Sequence, residues 1–204
     1  MSAYQLGEIS FSKIVVAIDG SEPSLDAARY AIRISGTHHA SLLALYVISA
    51  VVQNDYDSDM PVEGIPGTVK KTMDDAKRES DPWFTRIRNE IRTDSSFKFH
   101  SKIIVSPIKA SASIVNYADN EKANLIVIGN RGRSGLKKLM LGSVASDVVT
   151  YSHCPVLVHF VELFKKGSGD ALFSTFEIRR HYTYGTSEGI SAIHESLKSI
   201  DLNL

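Results

Sequence analysis

Leu125-Ile-Val-Ile128 runs without a break into Gly129-Asn-Arg-Gly132-Arg-Ser-Gly-Leu-Lys-Lys-Leu-Met-Leu-Gly142-Ser143. Four apolar residues with no polar interruption are what a strand buried on both faces requires, and such strands belong to parallel sheets covered by helices. The glycines that follow mark a loop, and Gly142 to Tyr151 reads as a helix. Strand, glycine loop and helix in that order are the working half of a βαβ unit.

The same grammar repeats on either side. Lys13 to Ile18 is a β-branched run that ends in Asp19-Gly-Ser-Glu-Pro-Ser24, where Ser21 suits a helix cap and Pro23 a first turn. Leu25, Ala28, Ala31, Ile32 and Ser35 follow at helical spacing. Ser41 to Ile48 is a second strand, and the stretch from Gln53 to Gly67 carries loop signals. A helix is predicted from about Val69 to Arg92, with Pro82 expected to kink it or to start a new one. Phe97 to Val105 reads as a third strand, Ser111 to Lys122 as a helix facing inward through Ile114, Val115 and Ala118, and Pro155 to His159 as a fifth strand. Five strands alternating with four helices predict an open, doubly wound, five-stranded parallel sheet of the α/β class with helices on both faces. Residues 1–10 are then a leader, 11–160 the domain, and 161–204 a C-terminal extension. Within the extension Lys165 to Asp170 looks like a linker, while Ile190, Ile193, Leu197 and Ile200 form one stripe of a short amphipathic helix. That stripe needs cover, from its own domain, a second copy of the chain or a protein partner.

Composition narrows the function classes. Lysine plus arginine and aspartate plus glutamate number 23 each, which removes the broad attraction that non-specific nucleic-acid or anionic-membrane binding needs. Arg179-Arg-His-Tyr-Thr-Tyr184 is too short a basic and aromatic patch to change that. A single cysteine, Cys154, a start without a secretory pattern and apolar runs only of strand length predict a cytoplasmic protein with no membrane span.

The chemistry is expected in the loop after the fourth strand. Ligands of open α/β sheets lie outside the carboxyl ends of the strands, where strand order reverses. Glycines let a backbone approach a polyphosphate and adopt positive φ, and the amides opening the next helix favour anions. Neither GxxxxGK[ST] nor GxGxxG is present, so the cradle is of another kind. Asp19 suits either capping of the first helix or acceptance of ribose hydroxyls. Arg131, Arg133, Lys137 and Lys138 are candidate phosphate clamps or plain solvated charges, with Arg131 and Arg133 nearest the glycines. Cys154 with His153 and His159 reads as packing rather than a metal site, and His38 and His39 are assigned no function.

Gly129, Gly132, Gly142 and Ser143 satisfy G-x2-G-x9-G-[ST] without a gap, and in this the chain resembles the nucleotide-binding universal stress proteins. The resemblance extends through Lys13-Ile-Val-Val-Ala-Ile-Asp-Gly-Ser21, Leu-Gly-Ser-Val-Ala145 and Cys-Pro-Val-Leu-Val158, over about residues 11 to 160. It implies an adenine nucleotide alpha hydrolase-like sheet that binds ATP, with or without Mg²⁺, and a homodimer paired through the fifth strand. It places Ala17 and Asp19 beside the ribose and adenine, Val47 against the base, and Gly129, Gly132, Gly142 and Ser143 on ribose and phosphates, with Arg131 and Val144 adjoining. A stress-response role through nucleotide-dependent conformation or partner binding is the expectation. Phosphoryl transfer needs a held metal and charge clamps, and only Asp19 and Ser143 stand out as metal candidates. A slow Mg²⁺-dependent ATPase and a nucleotide-independent interaction module are the alternatives.

Overall fold

The computed structural model describes residues 10–49, 66–91, 98–133, 141–166 and 169–179, and of 66–68, 161–166 and 169–179 the backbone alone. In chain order the elements are β1 (Lys13–Ala17), α1 (Glu22–His38), β2 (Ser41–Ser49), α2 (Pro66–Glu90), β3 (Phe99–Ser106), α3 (Ala110–Glu121), β4 (Leu125–Gly129), α4 (Ser143–Tyr151), β5 (Val156–Lys166) and β6 (Gly169–Arg179). The sheet order is β3-β2-β1-β4-β5-β6, with β1 to β5 parallel and β6 antiparallel to β5. The five parallel strands and flanking helices are those expected.

Side chains alternate across a strand, so each central strand feeds two cores. Ile14, Val16, Leu125 and Val127 face Ala27, Ala31 and Ile34 of α1 and Phe84 and Ile87 of α2. Val15 and Ile126 face Ile114, Val115 and Ala118 of α3 and Ala145 and Val148 of α4. Each fully buried Ile, Leu or Val contributes roughly 1.5–3 kcal/mol of transfer free energy. On α1 the innermost stripe includes Ile34, whereas Ile32 is only half-buried.

Two expectations are corrected. Of the two outcomes expected at Pro82, the start of a new helix does not occur: α2 runs from Pro66 to Glu90 with Pro82 inside. Proline removes one intrahelical bond, but Ala76, Ser80, Phe84 and Ile87 are buried on both sides of it, so packing holds the helix across the gap. Nor do Lys165 to Asp170 form a linker. β5 continues to Lys166 and β6 returns from Gly169, in register from Lys166↔Gly169 to Val156↔Arg179. Ala171-Leu-Phe-Ser-Thr-Phe-Glu-Ile178 is rich in β-forming residues, and a glycine-bearing stretch between two such runs is a hairpin signal. The fifth strand is therefore no free edge: Val156 to His159 pair with β4 on one side and β6 on the other. The stripe read at residues 190–200 lies outside the described residues.

From β1 the chain crosses to β2 on one side and later returns as β4 on the other. That reversal opens a crevice above the carboxyl ends of β1 and β4.

Candidate functional site

Two connections form the crevice. In the β1–α1 turn, Asp19 Oδ1 accepts from the Ser21 N–H at 3.0 Å and the Ser21 hydroxyl at 2.6 Å. Ser21 caps α1 by accepting from the Ser24 N–H at 3.4 Å, and the Ser24 hydroxyl donates to the Ser21 carbonyl at 2.8 Å. The capping reading of Asp19 thus holds through Ser21.

The β4–α4 connection is pinned at both ends by Asn130, 1% exposed: its N–H donates to the His159 carbonyl and its own carbonyl accepts from the Gly142 N–H, each at 2.7 Å. Its glycines differ in purpose. A Cβ on Gly129 would meet the Pro23 carbonyl group at 2.8 Å and the Ser24 nitrogen at 3.0 Å, so this glycine lets the start of α1 lie directly on β4. A Cβ on Gly132 would stand 2.5 Å from Asp19 Oδ2, the oxygen that accepts from the Arg133 N–H at 3.1 Å. At Gly142 the nearest atom to an added Cβ is the Asn130 carbonyl oxygen at 3.3 Å. Among the described glycines of this loop, Gly129, Gly132 and Gly142, none has positive φ; Gly20, in the other connection, has it, at +82°. Bare Cα atoms here serve close approach.

Gly142 is the N-cap of α4, at φ −71° and ψ 158°, with no side-chain cap. The first backbone bond of the helix runs from the Ser146 N–H to the Gly142 carbonyl at 2.9 Å. The N–H groups of Ser143, Val144 and Ala145 precede it and have no intrahelical acceptor, and they carry the positive end of the helix dipole.

These pieces enclose a cleft of about 750 Å³, counting its open mouth. Ala17, Asp19, Val47, Gly129, Arg131, Gly132, Gly142, Ser143 and Val144 all line it. Spacing did not single out Leu45, Ala110, Ile114 and Ile128, which add an apolar wall, nor the buried polar residues Ser24 and Asn130 in the lining. Their positions at strand ends and helix starts facing the reversal were the available signal.

Arg133 lines the cleft, and its guanidinium is engaged by α2 and by the β1–α1 turn. Its Nη1 lies 2.7 Å from Glu79 Oε1, and its guanidinium lies over the rings of Trp83 and Tyr46, 4.7 and 5.6 Å from their centroids. Its Nε donates to the Asp19 carbonyl. The Tyr46 hydroxyl donates to Glu79 Oε2 at 2.9 Å, and burial, then this bond, hold its pKa above the usual tyrosine range. Lys137 and Lys138 lie outside the described residues.

Cys154 and His159 pack, whereas His153 is exposed, its Nε2 3.6 Å from Asp119 Oδ2. Burial pushes the Cys154 thiol up, which disfavours a reactive thiolate. His159 is 0% exposed beside Tyr30, at 4.9 Å between ring centroids, and burial lowers its pKa to about 4. Among the described residues no three His, Cys, Asp or Glu side chains gather as a metal site, and no helix is long and apolar enough to cross a membrane.

Residues 10–159 match the model of the universal stress protein family. Universal stress protein MJ0531 of Methanocaldococcus jannaschii is 34% identical over 154 residues, covering 74% of this chain and 84% of that protein. The structure of universal stress protein UspA from Lactobacillus plantarum superposes with a TM-score of 0.60 at 25% identity, over 74% of this chain and 98% of that one. The universal stress protein from Archaeoglobus fulgidus, solved in complex with dAMP, gives 0.50 at 22% identity over 74% and 98%. With its strand order, its cleft at the sheet reversal and these likenesses, the chain belongs to the universal stress protein family.

Proposed function

We propose that the cleft binds ATP and that the bound state sets the conformation or partner preference of a stress-response protein. The observation that carries this reading is one cleft with two unlike ends. Ala17, Leu45, Val47 and Ile114 offer an apolar wall, while Gly132, Gly142 and the opening amides of α4 offer bare main chain to an anion. The dAMP of the Archaeoglobus protein belongs to that protein; the support here is the cleft itself.

In this reading Val47 and Ala17 flank the base and Asp19 faces the ribose with the acceptor capacity that Ser21 and Arg133 leave it. Gly132, Gly142, Ser143 and Val144 receive the phosphates through their main chain, with Arg131 alongside. Gly129 acts one step back, by seating α1. A Mg²⁺ ion would arrive with the phosphates, and Asp19 and Ser143, both in the cleft lining, would be its candidate oxygen ligands. The ion would offset phosphate charge.

Mass spectrometry of nucleotide released from freshly purified protein, followed by competition of ATP against GTP on the stripped protein, tests the reading. Adenine nucleotide in the released fraction and preference for ATP are expected. A stripped protein that binds neither at millimolar concentration, or both equally, contradicts it.

A further inference from the structure

Helix α2 reaches the cleft at second hand. Its Trp83 ring lies against the Cα of Gly20, so close that a methyl group there would overlap it. Gly20 follows Asp19, which lines the cleft. The other cleft connection meets the same ring, through the Arg133 guanidinium 4.7 Å from its centroid, and Tyr46 closes the cluster edge-on at 5.2 Å and 79°. Glu79 of α2 ties the two partners together, taking the Arg133 ion pair on one oxygen and the Tyr46 hydroxyl on the other. Arg133 also turns back to the cleft side, donating from its N–H to Asp19 Oδ2 and from Nε to the Asp19 carbonyl. Asp19 and Arg133 line the cleft, and Glu79 and Trp83 stand behind them.

We infer that Arg133 is a positioning residue that couples the cleft to α2, so that nucleotide binding and the packing of the Glu79–Trp83 edge are linked. The inference rests on the nucleotide reading above. Held by five groups, Arg133 fixes the separation of the β1–α1 turn and the glycine loop before a ligand arrives, which reduces the ordering cost of binding. A ligand that prefers the fixed separation must strengthen the grip on α2 in return, because coupling between two sites is reciprocal.

Calorimetric titration of ATP into the full chain and its Glu79→Gln and Arg133→Met variants tests this, with emission of Trp83, the one tryptophan, as the spectroscopic signature. Glu79→Gln is the informative variant. Removal of a negative charge behind the cleft would, by Coulomb attraction alone, tighten a polyanion, whereas loss of the Arg133 anchor weakens it, by about fivefold or more. Trp83 emission shifts on saturation of the natural chain, and the shift is lost in Arg133→Met. Should Arg133→Met fail to fold, Glu79→Gln decides alone, its side chain being 47% exposed. Unchanged or tighter binding by Glu79→Gln, or silent Trp83 emission at saturation, overturns the coupling and leaves the nucleotide site standing. No binding by any of the three proteins overturns both.

Discussion

At Gly129 an added methyl would sit 2.8 Å from the carbonyl of Pro23, whereas at Gly142 its nearest neighbour is an oxygen at 3.3 Å. Both neighbours are backbone, but 2.8 Å is an overlap whereas 3.3 Å is only a tight contact, so Gly129→Ala is expected to cost about 1–3 kcal/mol of folding stability. Gly142→Ala should change stability by less than about 1 kcal/mol, since the neighbour need shift only a few tenths of an ångström; urea unfolding of both variants compares them. The signature spacing gave no hint of this division, because spacing does not say which atoms face a given Cα. His159 supplies a pH test. Its folded pKa, about 4, lies below the ordinary histidine value of 6.5, so the unfolded chain binds more protons between those values and stability falls as pH drops through that window. The loss attributable to His159 approaches about 3 kcal/mol at the acid end, with Tyr30 packed against the ring and Asp26 opposing the shift only weakly. His159→Phe should flatten the difference between unfolding curves at pH 7 and pH 4.5, and an equally steep fall in the variant would contradict the assignment.

Among the elements, α2 illustrates how packing overrides a local rule. Pro82 signals a break, yet buried residues on both sides of it outweigh one missing hydrogen bond. Phe84, 5% exposed, is the largest of those anchors, and Phe84→Ala is expected to lower stability by about 3–5 kcal/mol in chemical denaturation. A loss below about 1 kcal/mol would mean that α2 docks by its ion pairs to α1, such as Arg29 to Glu90 at 3.1 Å, rather than by its apolar stripe. The glycine loop and the strand before it were legible because an unbroken apolar run followed by glycines is a strong local pattern. The Arg133 contact with Trp83 was not: it joins a loop to a helix distant in sequence, and nothing in either segment marks the partner.

For the whole molecule, the parallel sheet and the place of its crevice followed from alternation and the rule of right-handed crossovers. The sixth strand is not legible in this way, because glycine and serine between Lys166 and Asp170 fit a flexible join as well as a hairpin. The consequence concerns assembly. With β6 paired along β5, the β5 backbone offers no free edge to a second copy. A chain ended after Val161 should uncover that edge and self-associate, as bare edges do; light scattering would show the shortened chain larger than its mass and the full chain less so. Equal behaviour of the two would remove β6 from any part in controlling assembly. The nucleotide cleft is tested most directly by calorimetric titration of ATP into the stripped full chain and into Gly142→Val, whose branched side chain would crowd the Asn130–Arg131 backbone at the proposed phosphate end of the cleft. Saturable binding by the natural chain and at least tenfold weaker binding by the variant, about 1.4 kcal/mol or more, is the expected result. Equal affinity in two folded proteins, or no heat from either at millimolar ATP, would contradict it.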